Sequence, residues 1–350
     1  MEVINLDKSS TAYGYNPNSA HNGGVETRRR IEECRVKIAE CLNCKPSEIY
    51  FCPSASYANS QAVLGYLRAH PLVKQFGYSS VEHDSIRLIN TGDVEKVELH
   101  VVKGWVSAKE MISLERGSLI SVTASDSELG IIQPRKILSK IAHNHGYVIH
   151  RDLTQYFANF NIDLDVLKAD MVTIGGHKLG AKVGCAILYV RDGIKLEPLV
   201  YGHQENGLIG GTENVEAIES LCNAIVSRDE AASVEHKIAL KTRVQELIID
   251  NPLIDMTDIN GYLPSILSLT CHSNLTSDRI VDLLSNVGIY VSAGSACNSY
   301  SLEPSRTLLS VYGDEYKATH TIRVTLSDET TFDEIEYFVN TLNTILTLNR

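Results

Sequence analysis

The stretch from Met171 to Val190, MVTIGGHKLGAKVGCAILYV, reads as two short apolar runs joined by a glycine-rich turn that carries His177 and Lys178. Continuous rather than alternating apolar residues mark strands covered on both faces, as in a mainly parallel sheet. Similar runs recur upstream as EIYFC (48–52), FGYSSV (76–81), KVELHVV (96–102), LISVTAS (119–125) and YVIHRDL (147–153). Helical segments such as ANSQAVLGYLRA (58–69) and PRKILSKIAHNHG (134–146) lie between them, the second closing on a glycine. Strands alternating with helices predict an α/β fold with a seven-stranded sheet between helices.

After about residue 230 the pattern changes. A helix over VEHKIALKTRVQELIID (234–250) leads to the strand LPSILSLTC (263–271), the helix SDRIVDLLSNVG (277–288), and the strands IYVSA (289–293) and TIRVTLS (321–327). The last helix opens on a capping box, Thr331-x-x-Glu334. This mixture predicts a large unit over 12–230 and a smaller α+β unit over 231–350, with residues 1–11 as an N-terminal arm.

The chain has 350 residues, 43% hydrophobic and 21% charged, and its 32 basic against 43 acidic residues give a net charge of −11. Such a surface argues against a nucleic-acid or anionic-membrane partner. With no leader and no bilayer-length apolar run in view, the expectation is a soluble protein of the cytoplasm. The eight cysteines (34, 41, 44, 52, 185, 222, 271 and 297) form no secreted framework and are expected to be free thiols. Cys41 and Cys44 make a lone C-x-x-C with no second pair to complete a zinc site.

Lys178 follows one strand end, and Asp152, in VIHRDLTQ, closes another. Ligands of open α/β sheets sit at the carboxyl ends of strands. An amine and a carboxylate at adjacent strand ends are what pyridoxal phosphate requires: the amine bonds to the aldehyde, and the acid keeps the ring nitrogen protonated. In FCPSASYANSQAVLGYLRA (51–69) a strand runs through Ser54 and Ser56 into a helix, whose N–H groups could hold a phosphate. His83, in SSVEHDSI, lies past a further strand end, where it could stack on an aromatic ring or move protons. The run SAGSACNSY (292–300) sets Cys297 among small, flexible residues, a setting suited to a reactive thiol.

These segments resemble, in order, those of the NifS/IscS cysteine desulfurases, fold-type-I pyridoxal-phosphate enzymes of the class-V aminotransferase group. LDKSST resembles LDNAAT, NPNSAH resembles NPSSxH, and SSVEHDSI matches the family's EH segment. ELGIIQP is similar to the end of NNEIGxIQP, HRDLTQ to HVDAxQ, GGHKLG to SxHKxxGP and GGTENV to RxGTEN. SAGSACNSYSLEPS resembles SSGSACxSxxxEPS, and HTIRVTLSDETTFDEIE resembles SIRxSLxxxTTxEEID.

The resemblance implies a Schiff-base role for Lys178, a pyridinium partner in Asp152, a hydrogen bond from Gln155 to the phenolic oxygen, and His83 over the ring. It implies phosphate contacts from Ser56 and His177, with Thr212 reaching the same phosphate from the partner subunit of a homodimer, and counts Ala55 and Ser127 among the cofactor-binding residues. Ser127 stands where the family has an asparagine near the phenolic oxygen, and Arg323 would grip the substrate carboxylate. The implied activity removes sulfur from L-cysteine, leaving alanine and a persulfide on Cys297 for an acceptor protein of an iron–sulfur, tRNA- or DNA-thiolation route. Two other readings fit the same residues: a related C–S or selenocysteine lyase, and a weakly active sulfur-transfer scaffold.

Several positions depart from the family pattern. Gly175 replaces the phosphate-binding serine, Ser56-Tyr57 replaces Thr-Glu, and Ile209 replaces the arginine of RxGTEN. The stretch between Asp7 and His21 is also shortened.

Overall fold

A computed structural model describes residues 15–256, 261–294 and 304–350. Its larger sheet has seven strands: β1 (Ile49–Cys52), β2 (Gln75–Ser79), β3 (Glu95–Leu99), β4 (Leu119–Ser121), β5 (Val148–Asp152), β6 (Met171–Gly175) and β7 (Ala186–Val190). Their spatial order is β1-β7-β6-β5-β4-β2-β3. Neighbours from β3 through β6 are parallel, whereas β7 runs antiparallel to both β6 and β1. Reversing β7 alone gives β1 the same direction as β6. The carboxyl ends of β1 through β6 therefore lie along one edge.

Both faces of this sheet are covered, as its apolar runs require. Val172 and Ile174 of β6 turn toward Ile31, Ile38 and Leu42 of helix α1 (Asn22–Leu42), while Met171 faces Val63 and Tyr66 of helix α2 (Ala55–Ala69). Alternate residues of one strand thus enter two cores. Helix α3 (Arg135–Asn144) buries Leu138 and Ala142 against Ile120 and Ile149.

A second sheet is built from β8 (Ile254–Met256), β9 (Ile266–Cys271), β10 (Ser292–Ala293) and β11 (Thr321–Thr325), in the antiparallel order β8-β9-β11-β10. Helices α4 (Glu230–Ile248), α5 (Ser277–Ser285) and α6 (Phe332–Leu348) contribute Leu240, Ile280 and Leu342 to its core. The capping box forms as the sequence predicts, with Thr331 and Glu334 exchanging hydrogen bonds.

Several expectations change in detail. LISVTAS pairs in the ladder only over Leu119–Ser121, IYVSA only over Ser292–Ala293, and β8 is a three-residue strand that the sequence reading omits. The run KVELHVV is interrupted after Leu99, and its end pairs in a separate two-stranded hairpin with Trp105–Val106. No helix among the described residues is long and apolar enough to cross a membrane. The seven described cysteines are free thiols; Cys297 and residues 1–11 lie outside the described residues.

Candidate active site

The edge where six strands end collects the polar residues singled out in the sequence. After β1, Ser54 caps α2 by accepting from the Tyr57 N–H, so the first-turn amides of Ala55 and Ser56 point out of the helix start. After β2, His83 caps a short helix over Asp84–Arg87. After β6, the chain makes one 3₁₀ turn, Gly176–Leu179, which presents His177 and Lys178 before a left-handed Gly180 (φ 76°) ends it. Partial burial, and then the charge of Lys178, push the His177 imidazole below its ordinary value.

Asp152 closes β5 with its carboxylate held on both oxygens. The Thr154 N–H donates to Oδ1 at 2.9 Å, and the Asn59 side-chain amide donates to Oδ2 at 2.8 Å. Gln155 lies half-buried on the short helix Thr154–Phe157 that follows. Below Asp152, His150 is fully buried between Ser121 Oγ (2.9 Å from Nδ1) and Thr173 Oγ1 (3.0 Å from Nε2). Burial pushes that imidazole down to about 4, so it is neutral at neutral pH.

The loop after β4 is shaped by a residue the sequence reading passed over. Asp126 is buried and accepts four backbone N–H groups, from Glu128, Leu129, Gly130 and Ile131. This places Ser127 against the second sheet, where Arg323 of β11 donates from Nη1 to the Ser127 carbonyl at 2.9 Å and from Nη2 to Ser292 Oγ at 3.1 Å. Ser127 and His83 line one cleft of about 450 Å³, together with Glu82, Glu128, Gly294 and Arg306. Thr212 is exposed and lines a different cavity, of about 200 Å³, with Pro53, Gly184 and Cys185.

A sequence model of the class-V aminotransferases matches residues 3–338. The chain belongs to the class-V aminotransferase family. Its relatives include a cysteine desulfurase IscS of Dictyoglomus turgidum, 32% identical over 95% of this chain and 87% of that protein. A cysteine desulfurase IscS 1 of Archaeoglobus fulgidus is 31% identical over 93% and 88%. These likenesses place this class-V aminotransferase in the NifS/IscS cysteine desulfurase branch. A solved NifS-like protein superposes with a TM-score of 0.87 at 26% identity, covering 95% of this chain and 92% of that one. A solved SspA in complex with cysteine gives 0.77 at 28% identity, covering 91% and 92%. The architecture is the α/β fold type I of pyridoxal-phosphate enzymes.

The donor set fits the cofactor of this family of aminotransferases. Ala55, Thr154 and His177 surround Gly175: a Cβ there would lie 2.7 Å from Thr154 Cγ2, 3.2 Å from Ala55 Cβ and 3.3 Å from His177 Cε1. The cradle is thus closed by the Thr154 methyl where the family pattern carries a serine side chain, and Thr154 Oγ1 accepts the Gly175 N–H at 3.1 Å. Ile209, in place of the family arginine, is buried with Cys52 and Ala58.

The sequence reading found the groups at strand ends. It missed Asn59, Ser85, Glu82, Asp126, Glu128 and Thr154, which act on those groups from elsewhere in the chain. The Glu-His pair and the ELG triplet stood beside residues already chosen and were the only local signals for two of them.

Proposed function

We propose that this chain is a pyridoxal-phosphate-dependent cysteine desulfurase of the cytoplasm, converting L-cysteine to L-alanine and leaving the sulfur as a persulfide on Cys297. The single observation that carries the reading is the convergence of Lys178, Asp152, His83 and the open start of α2 on one sheet edge, facing Arg323 across Ser127. Lys178 would bond to the cofactor aldehyde, with Asp152 on the ring nitrogen and Gln155 on the phenolic oxygen. Ala55, Ser56 and His177 would hold the phosphate, aided by the positive end of α2. Once bound, the cofactor supplies an electron-withdrawing ring that makes the substrate Cα–H acidic.

Arg323 arrives oriented by two acceptors, and exchanging these for a carboxylate would give two parallel charge-assisted bonds to the amino acid. The freed amine of Lys178 serves as the base at Cα, and His83 exchanges protons with the substrate thiol. The Cys297 thiolate takes the sulfur: an S–S bond forms, and the C–S electron pair leaves with the carbon that ends as alanine. Residues 12–230 carry the cofactor chemistry, and 231–350 bring Arg323 and Cys297.

A homodimer is part of this reading. Val183 and Tyr201, 84% and 80% exposed, flank the cavity that Thr212 lines and offer an apolar surface to a second copy. Thr212 would then reach the partner's phosphate. The persulfide would pass to an acceptor protein of iron–sulfur or thiolation chemistry.

The test is mass spectrometry after incubation with pyridoxal phosphate and cysteine. Cys297 is expected to gain one sulfur atom as alanine appears, and Cys297→Ser to keep the yellow colour while losing both. Pyruvate or unbound sulfide as the main product, with Cys297 unmodified, would overturn the assignment.

A further inference from the structure

Asn59 sits on the second turn of α2, 1% exposed. Its amide nitrogen makes two hydrogen bonds, donating to Asp152 Oδ2 at 2.8 Å and to Ser85 Oγ at 2.9 Å. Those are all the N–H groups an amide owns. Turning the amide over would set Oδ1 against a carboxylate oxygen, so the carboxylate fixes its orientation; Oδ1 is buried with no hydrogen-bond partner among the described residues.

Ser85 carries the connection onward. Its Oγ lies 2.8 Å from His83 Nδ1, and its backbone N–H donates to that same nitrogen at 3.1 Å. The backbone N–H alone makes Nδ1 an acceptor, and the Ser85 hydroxyl, whose oxygen takes the Asn59 amide hydrogen, adds a second donor to the same nitrogen. A nitrogen that accepts carries no proton, so the neutral His83 ring bears its hydrogen on Nε2.

We infer that Asn59 is a positioning residue: its one amide group links the carboxylate of Asp152 to the Ser85 hydroxyl that holds His83 at Nδ1. In the proposed function, which this inference rests on, Asp152 would pair with the cofactor's ring nitrogen and His83 would exchange protons with the substrate. One buried amide would then hold both the carboxylate and the hydroxyl that steadies the imidazole. Neither the family pattern quoted above nor the strand-end logic assigns Asn59 or Ser85 any part in the chemistry.

The experiment compares wild type, Asn59→Ala, Ser85→Ala and the double variant by two readouts: the His83 Nδ1 chemical shift from nitrogen NMR of the cofactor-free protein, and pyridoxal phosphate affinity from equilibrium dialysis. Every variant keeps the Ser85 N–H and is expected to hold Nε2–H. Asn59→Ala is expected to weaken cofactor binding about tenfold or more, as for a lost bond to a charged group, and to move the Nδ1 resonance as the hydroxyl's hydrogen bond loosens. In the Ser85→Ala background, Asn59→Ala should still weaken binding but no longer move that resonance, while Ser85→Thr should match wild type. An unchanged Nδ1 resonance in Asn59→Ala, or an equal change in both backgrounds, would overturn the link.

Asn59→Leu keeps the side-chain shape, removes both donors and gives the same readouts should the alanine variant fail to fold. A wild-type protein that does not bind pyridoxal phosphate would sink the proposed function, whereas the Nδ1 comparison on cofactor-free protein decides the Asn59 link by itself.

Discussion

Ser305 donates a 2.5 Å hydrogen bond to Oε2 of Glu128, 177 residues away in the sequence. Gly294 comes to the same oxygen: a Cβ on it would lie 3.4 Å from Oε2 and 3.5 Å from Ser305 Cβ. One carboxylate therefore sits at both ends of the segment that contains Cys297. Glu128→Ala is expected to lower alanine release about tenfold, the scale of one hydrogen bond to a charged group, with the visible absorbance of bound cofactor unchanged. Parallel turnover and absorbance measurements check this, and equal loss of both signals would refute it.

Glycine at 175 is explained by crowding, and the crowding makes a prediction. The serine of the family pattern would push its Cβ to 2.7 Å from Thr154 Cγ2. Gly175→Ser alone should cost about 1–3 kcal/mol of stability, the usual penalty for overpacking. Thr154→Ser removes the offending methyl and keeps the hydroxyl that accepts the Gly175 N–H. The double variant should regain most of the lost stability and bind pyridoxal phosphate more tightly than wild type. Thermal melts and cofactor titrations of the three variants measure both effects.

Burial, reinforced by the negative charge of Asp152, pushes the Glu82 carboxyl up to about 8. The ordinary value of a glutamate carboxyl is 4.5, so between these limits the native chain binds more protons than the unfolded one. Stability contributed by this group is present below the lower limit and is lost as pH rises through the upper one. Glu82→Gln removes the titration with little change of shape. The cofactor-free variant should melt close to wild type at pH 5 and roughly 5 °C higher at pH 8.5, and identical pH profiles would refute the assignment.

The sequence made the larger sheet legible because its strands are buried on both faces, which leaves little but apolar residues between their turns. Lys178, Asp152 and His83 were legible for a related reason: each is a polar residue placed where an apolar run stops. Asn59 and Glu128 were not. Each works through a partner 93 or 177 positions away, and no local pattern encodes such a distance. Strand β8, three residues with Asp255 at its centre, exists because Cys271 and Leu269 lie opposite its ends, a pairing decided by tertiary structure. Arg151 shows the same limit: nothing local in YVIHRDL tells what its charge meets, yet it is fully buried, bonding the carbonyls of Arg135 and Thr123 at 3.3 Å.

The single reversed strand, β7, divides the molecule into a working rim and an idle one. With β1 turned to match β6, the chain segments entering β2, β4, β5 and β6 all gather at the far side, around Leu72, Gly117, Gly146 and Lys168. Leu72 there is 87% exposed, and Gly117 has nothing within 4 Å of where a side chain would start. Lengthened loops, fusion tags or surface-immobilisation handles attached on that side are expected to leave the edge that carries Lys178, Asp152 and His83 undisturbed.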